Sequence, residues 1–203
     1  MTFKKLNPKL VEILAKQGVE APNEFQDKVI PVIKGGKNLY AITADGGGKT
    51  TALIIGVLQR LKCAPFGDNP RALIFVKNKE ACEKLYAEFE KYIKRTEIRV
   101  AMVYEERIIN HQKDEIYAGC DIVIATPKRL SKLYFLNGIN LTQLMMIIVE
   151  DADFLKQGSF HTDIDRITES VERSQRIIFA SEKDDRLDRL DDLFMSRAEV
   201  VSV

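Results

Sequence analysis

The stretch "ITADGGGKTTALII", residues 42–55, holds the residue types that bind phosphate. Gly46, Gly47 and Gly48 let backbone N–H groups turn inward and let phosphate oxygens approach closely. A helix starting near Gly48 would aim its positive end at the same point. Lys49 can reach terminal phosphates, the Thr50 hydroxyl can join a Mg2+ shell, and Thr51 follows at the helix start. The strict spacing G-x-x-x-x-G-K-[ST] is broken by Thr43, which stands where the first glycine belongs. Asp45 puts a negative charge where the phosphates would lie.

A second chemical signal is "IIVEDADF", residues 147–154, in which three carboxylates follow an apolar run. Facing a phosphate loop, one carboxylate there can hold Mg2+ through water and another can orient an attacking water. The plainer alternative is a helix start decorated with acids, which is itself stabilising.

These groups need a scaffold that brings strand ends together. Short continuous apolar runs alternate with amphipathic segments along the chain. The runs "NLYAI", "RALIFV", "IRVAMV", "DIVIAT", "LMMIIV", "RIIFAS" and "AEVVSV" read as strands. Continuous rather than alternating apolar character suits a parallel sheet buried on both faces by helices. Helices are expected over "GKTTALIIGVLQRL", "NKEACEKLYAEFEKYI", "EERIINHQKDEIYAG", "PKRLSKLY", "IDRITESVERS" and "DRLDRLDDLFM". Two more precede the first strand. Asn7 caps one with Pro8 at its first position and Gly18 after its end; Asn23 caps the other, which Pro31 should bend or end before Gly35 and Gly36. In open parallel sheets ligands bind at the carboxyl ends of strands. That singles out "TADGGGKTT", "KNKEAC", "YEER", "TPKR", "EDADF" and "ASEKDD".

Composition sets bounds on function. A chain of 203 residues with 45% hydrophobic and 30% charged residues reads as one α/β domain, 1–203, with a real core. The net charge of +1 gives no global basic field, so nucleic acid would have to meet a local patch. Three scattered cysteines have neither metal-ligand nor disulfide spacing and suit a reducing, cytoplasmic setting. No apolar run has the length of a membrane span. His111 and His161 have no partners in spacing and read as surface residues.

The order of these motifs resembles the first RecA-like domain of DEAD-box RNA helicases, over nearly all of the chain. "GVEAPNEFQ", with upstream Phe3, resembles the adenine-reading Q motif, with Gln26 as its glutamine and Pro22 as its proline. "TADGGGKT" resembles the phosphate loop AxTGSGKT, and "KNKEAC" lies where PTRELA is expected. "TPKR" resembles TPGR, while "EDAD" and "ASE" sit where DEAD and SAT belong. The resemblance implies a RecA-like phosphate-loop domain that binds ATP and Mg2+. It implies ATP contacts at Phe3, Gln26, Asp45, Gly46, Gly47, Gly48, Lys49, Thr50 and Thr51. It further implies metal contacts at Thr50 and Glu150, and catalytic roles for Lys49, Glu150 and Asp151. Single-stranded RNA backbone would lie across Lys79, Thr126, Lys128 and Arg129.

The departures from the family pattern carry expectations of their own. Glu150 takes the place of the metal-binding aspartate and Asp151 that of the water-orienting glutamate, so the two carboxylates are exchanged in length. Asp45 replaces a threonine. "YEER" stands near the missing double-glycine motif, and Ala180 and Glu182 lack the hydroxyls of SAT. Of PTRELA only Glu80 is kept, with Lys79 in the arginine's place. The resemblance also implies a second RecA-like domain, absent from these residues, which supplies an arginine finger. Two functions follow: the first domain of an RNA-dependent ATPase and helicase, or an RNA-binding clamp that binds ATP without efficient turnover. An unrelated phosphate-loop kinase or GTPase would leave "TPKR" and "PNEFQ" unexplained.

Overall fold

In the computed structural model, residues 3, 5–156, 160–171, 173–183, 187 and 195–203 are described. Asn7 accepts a hydrogen bond from the backbone N–H of Lys9 and starts α1, Pro8–Lys16, with Pro8 in its first turn. Gly18, at φ +73°, turns the chain after it. The second helix, α2, Glu24–Gly35, runs through Pro31 and stops at the left-handed Gly36. Of the two outcomes expected of Pro31, a bend or an end, the end does not occur; the helix closes at the expected glycine turn. A proline removes one helical hydrogen bond, and burial of Val29, Ile30 and Ile33 on either side of it anchors the apolar face.

The remaining helices are α3, Lys49–Arg60; α4, Lys79–Ile93; α5, Ile109–Tyr117; α6, Pro127–Phe135; and α7, Phe160–Glu169. The strands are β1, Leu39–Ile42; β2, Ala72–Phe75; β3, Val100–Val103; β4, Ile122–Ala125; β5, Met146–Val149; β6, Gln175–Ala180; and β7, Glu199–Ser202. All pairings are parallel, in the order β3-β4-β2-β5-β6-β1-β7.

Alternate strand residues point to opposite faces, so each face has its own core. Leu39, Ile74, Ile124, Ile148 and Phe179 pack with α1 to α4. Tyr40, Phe75, Val123, Ile147 and Ile178 pack with residues of α5, α6 and α7. The sheet buried on both faces is thus what the apolar runs form.

Helix ends differ from the sequence reading in three places. The segment expected to begin a helix at Glu105 instead makes a turn, and α5 starts only at Ile109. The Arg107 N–H closes that turn on the Tyr104 carbonyl, and the Tyr104 N–H is taken by the Gln112 side chain. Helix α7 begins at Phe160 and ends at Glu169, before "SVERS". A 3-10 turn, Ala152–Lys156, follows β5, at the place where a helix start decorated with acids was the plainer alternative. The helix expected over "DRLDRLDDLFM" falls, apart from Leu187 and Met195, outside the described residues.

Candidate phosphate-binding site

The residue after each of several strands is tied to its neighbour, which fixes the strand-end groups relative to one another. The Thr43 N–H donates to the Ala180 carbonyl at 3.2 Å, joining the end of β1 to β6. The Glu150 N–H donates to Phe75 at 3.0 Å, joining β5 to β2. The Thr126 N–H donates to Val103 at 2.9 Å, joining β4 to β3. Because β6 lies between β1 and β5, the strand-end sequence along this edge is Asp45 and Lys49, then Ser181, then Glu150.

The loop after β1 has the geometry of a phosphate cradle. Gly46 and Gly48 have φ of +82° and +92°, a region that side chains other than glycine rarely adopt. A Cβ on Gly47 would lie 2.3 Å from the Thr43 hydroxyl oxygen, and one on Gly48 would lie 2.7 Å from Gln26 Nε2. No side chain caps the start of α3, so its first N–H groups and dipole face the cradle.

Lys49 is held by three acceptors: the Thr43 carbonyl at 2.9 Å, Asp45 Oδ1 at 3.1 Å and Ser181 Oγ at 3.1 Å. Its side chain is 15% exposed, while that of Asp45 is 96% exposed. Asp45 therefore faces Lys49 from the solvent side. Ser181, one position from the two residues that break SAT, is a contact the motif comparison passed over. Its signal was a hydroxyl directly after a buried strand.

Gln26 and Asn23 brace the cradle from beneath. They form a reciprocal capping box: Gln26 N–H donates to Asn23 Oδ1 at 2.9 Å, and Asn23 N–H donates to Gln26 Oε1 at 3.1 Å. The Asn23 amide also donates to the Gly47 carbonyl at 3.0 Å, and Gln26 Nε2 approaches the Gly48 carbonyl at 3.5 Å. The pattern N-x-x-Q in "NEFQ" marks the cap, whereas the bond from Asn23 to Gly47 joins residues remote in sequence and leaves no local signal. Phe3 is 7% exposed and packs into the core beside α1 and α2. Thr50 lies at the mouth of the cradle, and Thr51 follows it in the first turn of α3; both are half-buried.

Glu150 lies on the far side of β6. Burial and the neighbouring Asp151 push its carboxyl up, and Lys84, Lys77 and Lys49 pull it down less strongly. Among the described residues no cluster of three or more His, Cys, Asp or Glu side chains could hold a metal. The donor set of Thr50 and Glu150 fits a Mg2+ that keeps waters and shares its shell with phosphate oxygens.

At the other end of the edge, Thr126 Oγ donates to Glu105 Oε2 at 2.6 Å. Arg129 Nη2 donates to the Glu105 carbonyl. Lys128 is exposed, and Lys79 sits in the first turn of α4, next to the Asn78 cap. The structure thus gathers Thr126 and Arg129 around Glu105, a residue of "YEER" to which the sequence reading gave no role.

The family model for DEAD/DEAH box helicases matches residues 23–181. The chain is 29% identical over 175 residues to the probable ATP-dependent RNA helicase ddx42 of Dictyostelium discoideum, covering 85% of this chain and 18% of that protein. It is 28% identical over 185 residues to DEAD-box ATP-dependent RNA helicase 24 of Oryza sativa subsp. japonica, covering 89% and 24%. The chain therefore spans less than a quarter of these relatives. A DEAD box protein from Methanococcus jannaschii superposes over 100% of this chain and 56% of its own, with a TM-score of 0.90 at 22% identity. The yeast splicing factor Prp28 superposes over 98% and 50%, with a TM-score of 0.88. The fold is accordingly the RecA-like one that the motif order led us to expect. Because the match runs from the cap of α2 to the hydroxyl beside Lys49 and takes in most of the residues, the chain belongs to the DEAD/DEAH box helicase family.

Proposed function

We propose that the chain is the first RecA-like domain of an ATP-dependent RNA helicase and binds Mg2+–ATP at the ends of β1, β6 and β5. The observation that carries this reading is the Gly46–Thr50 cradle, with Lys49 at its mouth and Glu150 two strands away. Lys49 would meet the terminal phosphates, exchanging its three internal acceptors for phosphate oxygens. Thr50 and Glu150 would hold Mg2+, which neutralises charge on the phosphates. Asp151 is next to Glu150 and would orient the attacking water. Gln26 would read adenine from the edge of its capping box, and buried Phe3 would support that edge by packing.

Single-stranded RNA backbone would run along the other half of the edge, past Lys79, Thr126, Lys128 and Arg129. A second RecA-like domain would close over the ATP and bring an arginine finger. Among the described residues no helix is long and apolar enough to cross a membrane, and the three cysteines are buried and unpaired. The unpaired cysteines would suit a reducing, cytoplasmic setting. Titration of labelled ADP and GDP into the chain tests the nucleotide site. Tighter binding of ADP is expected, and equal affinity would remove the adenine-reading role of Gln26.

A second reading is an RNA clamp that binds ATP with little turnover. It is favoured by the carboxylates facing Lys49 and Thr126, and by the exchanged lengths of Glu150 and Asp151. Comparing RNA-stimulated ATP hydrolysis with ATP binding separates the two.

A further inference from the structure

Glu105 occupies the place that an anion would take beside α6. Thr126 is the residue before that helix, a position where a threonine side chain ordinarily bonds the helix's own N–H groups. Here it makes no such cap. Its hydroxyl donates to the Glu105 carboxylate at 2.6 Å instead. Pro127 follows in the first turn and has no N–H to offer. The Thr126 hydroxyl at the start of the nine-residue helix α6 meets the carboxylate of this one exposed residue, while the Arg129 guanidinium is bonded to its backbone carbonyl. Carboxylates and phosphates are drawn to such a place by the same forces.

The turn that carries Glu105 is pinned from several sides. The Tyr104 N–H donates to Gln112 Oε1 at 3.0 Å, and the Gln112 amide donates back to the Arg107 carbonyl at 2.9 Å. Gln112 is fully buried. The Tyr104 hydroxyl donates to Glu83 at 3.0 Å. Arg107 donates to the Met102 carbonyl at 2.8 Å and pairs with Glu115. The carboxylate is thus presented by a braced turn, with Glu106 exposed next to it.

We propose that Glu105 is an internal stand-in for an RNA phosphate: its carboxylate occupies the Thr126 hydroxyl, its backbone carbonyl engages Arg129, and its charge opposes RNA at that site until it is displaced. This rests on the reading of Thr126 and Arg129 as RNA-backbone contacts. RNA must take over the Thr126 hydroxyl and the Arg129 guanidinium and must also approach a fixed negative charge. Both demands weaken binding, and the second is strongest at low ionic strength.

The test is a fluorescence-anisotropy titration of the chain with fluorescein-labelled oligouridylate of about ten nucleotides, a length within the usual range of single-strand sites. The variants are Glu105→Gln, Glu105→Gly, Arg129→Ala and the double variant Glu105→Gln with Arg129→Ala, with thermal unfolding followed in parallel. Glu105→Gln keeps volume and an acceptor for Thr126 while removing the charge, so it remains informative if the glycine variant loosens the turn. Both Glu105 variants are expected to bind roughly tenfold more tightly at low salt, and Arg129→Ala should abolish the gain. Weakening by Arg129→Ala with no gain from either Glu105 variant would keep the RNA site and overturn the role of Glu105. A gain that survives Arg129→Ala would overturn it too, leaving only a general charge effect. No change in any variant, or no measurable binding at all, would overturn the RNA reading of the site and this proposal with it.

Discussion

Lys49 Nζ donates to Ser181 Oγ at 3.1 Å, across the boundary between the loop after β1 and the end of β6. With Thr43 and Asp45 as further acceptors, the ammonium is engaged before any nucleotide arrives. An incoming phosphate must replace these bonds, so they weaken binding by their own net strength. The pair with Asp45 is solvent-exposed on the acid's side, where ion pairs contribute little. Asp45→Thr should therefore tighten Mg2+–ATP binding about two- to fivefold, most of it lost at high salt. Ser181→Ala should add a smaller gain, and the double variant measures whether the two contacts act independently. Titration with a fluorescent ATP analogue checks all three. Weaker binding by Asp45→Thr would mean that the acid positions Lys49 for the phosphate.

In the proposed site Asn23 would join stability to nucleotide binding. Its side chain caps α2 and holds the Gly47 carbonyl. Asn23→Ala should destabilise the fold by about 1 kcal/mol, the usual cost of a lost cap. It should also weaken ADP binding, because the cradle loses a brace. Glycine at 23 restores most of a cap but not the amide. Asn23→Gly should therefore recover stability in urea unfolding while ADP binding stays weak. Recovery of both would reduce Asn23 to a cap alone.

Much of the scaffold is legible in the sequence because burial on both faces leaves its mark as continuous apolar runs such as "ALIF" and "MIIV". The strand-end segments follow from parallel topology, and Lys49, Thr50 and Glu150 fall on one edge as that topology requires. The lateral contacts were hidden. Ser181 meets Lys49, and Glu105 meets Thr126, across neighbouring strands that are remote in sequence. Neither strand order nor side-chain direction can be read from local spacing. The turn at 104–107 was misread as helix because its residues are compatible with one. What overrides them is the side chain of Gln112, bonded to Tyr104 and Arg107.

Asp121 was equally hidden, and it holds the opposite edge of the sheet. It is fully buried at the start of β4. Arg71, before β2, donates to it at 2.8 Å, and Arg99, before β3, donates through its N–H at 3.0 Å and its Nε at 3.1 Å. The Phe66 N–H adds a fourth bond at 3.1 Å. Burial pushes this carboxyl up, but the bonds from Arg99, Phe66 and Arg71 together outweigh it and hold it below the usual range. The unfolded chain thus takes up the proton more readily than the folded one. The stabilisation is complete above the ordinary aspartate value of about 3.9 and disappears as pH falls through the lower folded value. Asp121→Ala should cost about 3–5 kcal/mol, because it leaves Arg71 buried without its partner. It should also flatten the loss of stability with acid, measured by urea unfolding across that range. An unchanged acid profile would assign the loss to other carboxylates.

The exchanged pair after β5 decides whether the cradle supports turnover. Phosphoryl transfer depends on positioning and electrostatics, since the protein forms no covalent bond to the phosphate. In the proposed site Lys49 and Thr50 would supply the binding part. Asp151 is one methylene shorter than the glutamate that the family pattern places there, and a misplacement of about 1 Å can cost on the order of a hundredfold in rate. Glu150, longer than the expected aspartate, sits where burial and Asp151 both oppose its charge. Slow or unmeasurable hydrolysis is therefore expected from this chain, with RNA or without it, while Mg2+–ATP still binds. In a longer protein that joined this domain to a second RecA-like one, as proposed, Glu150→Asp with Asp151→Glu should raise RNA-stimulated hydrolysis by about ten- to a hundredfold. Each single variant should give less, because the metal and the water must be placed together. Fast RNA-stimulated turnover in the unaltered protein, reduced by the double exchange, would sink the clamp reading and leave a working helicase with its acidic pair in reversed order.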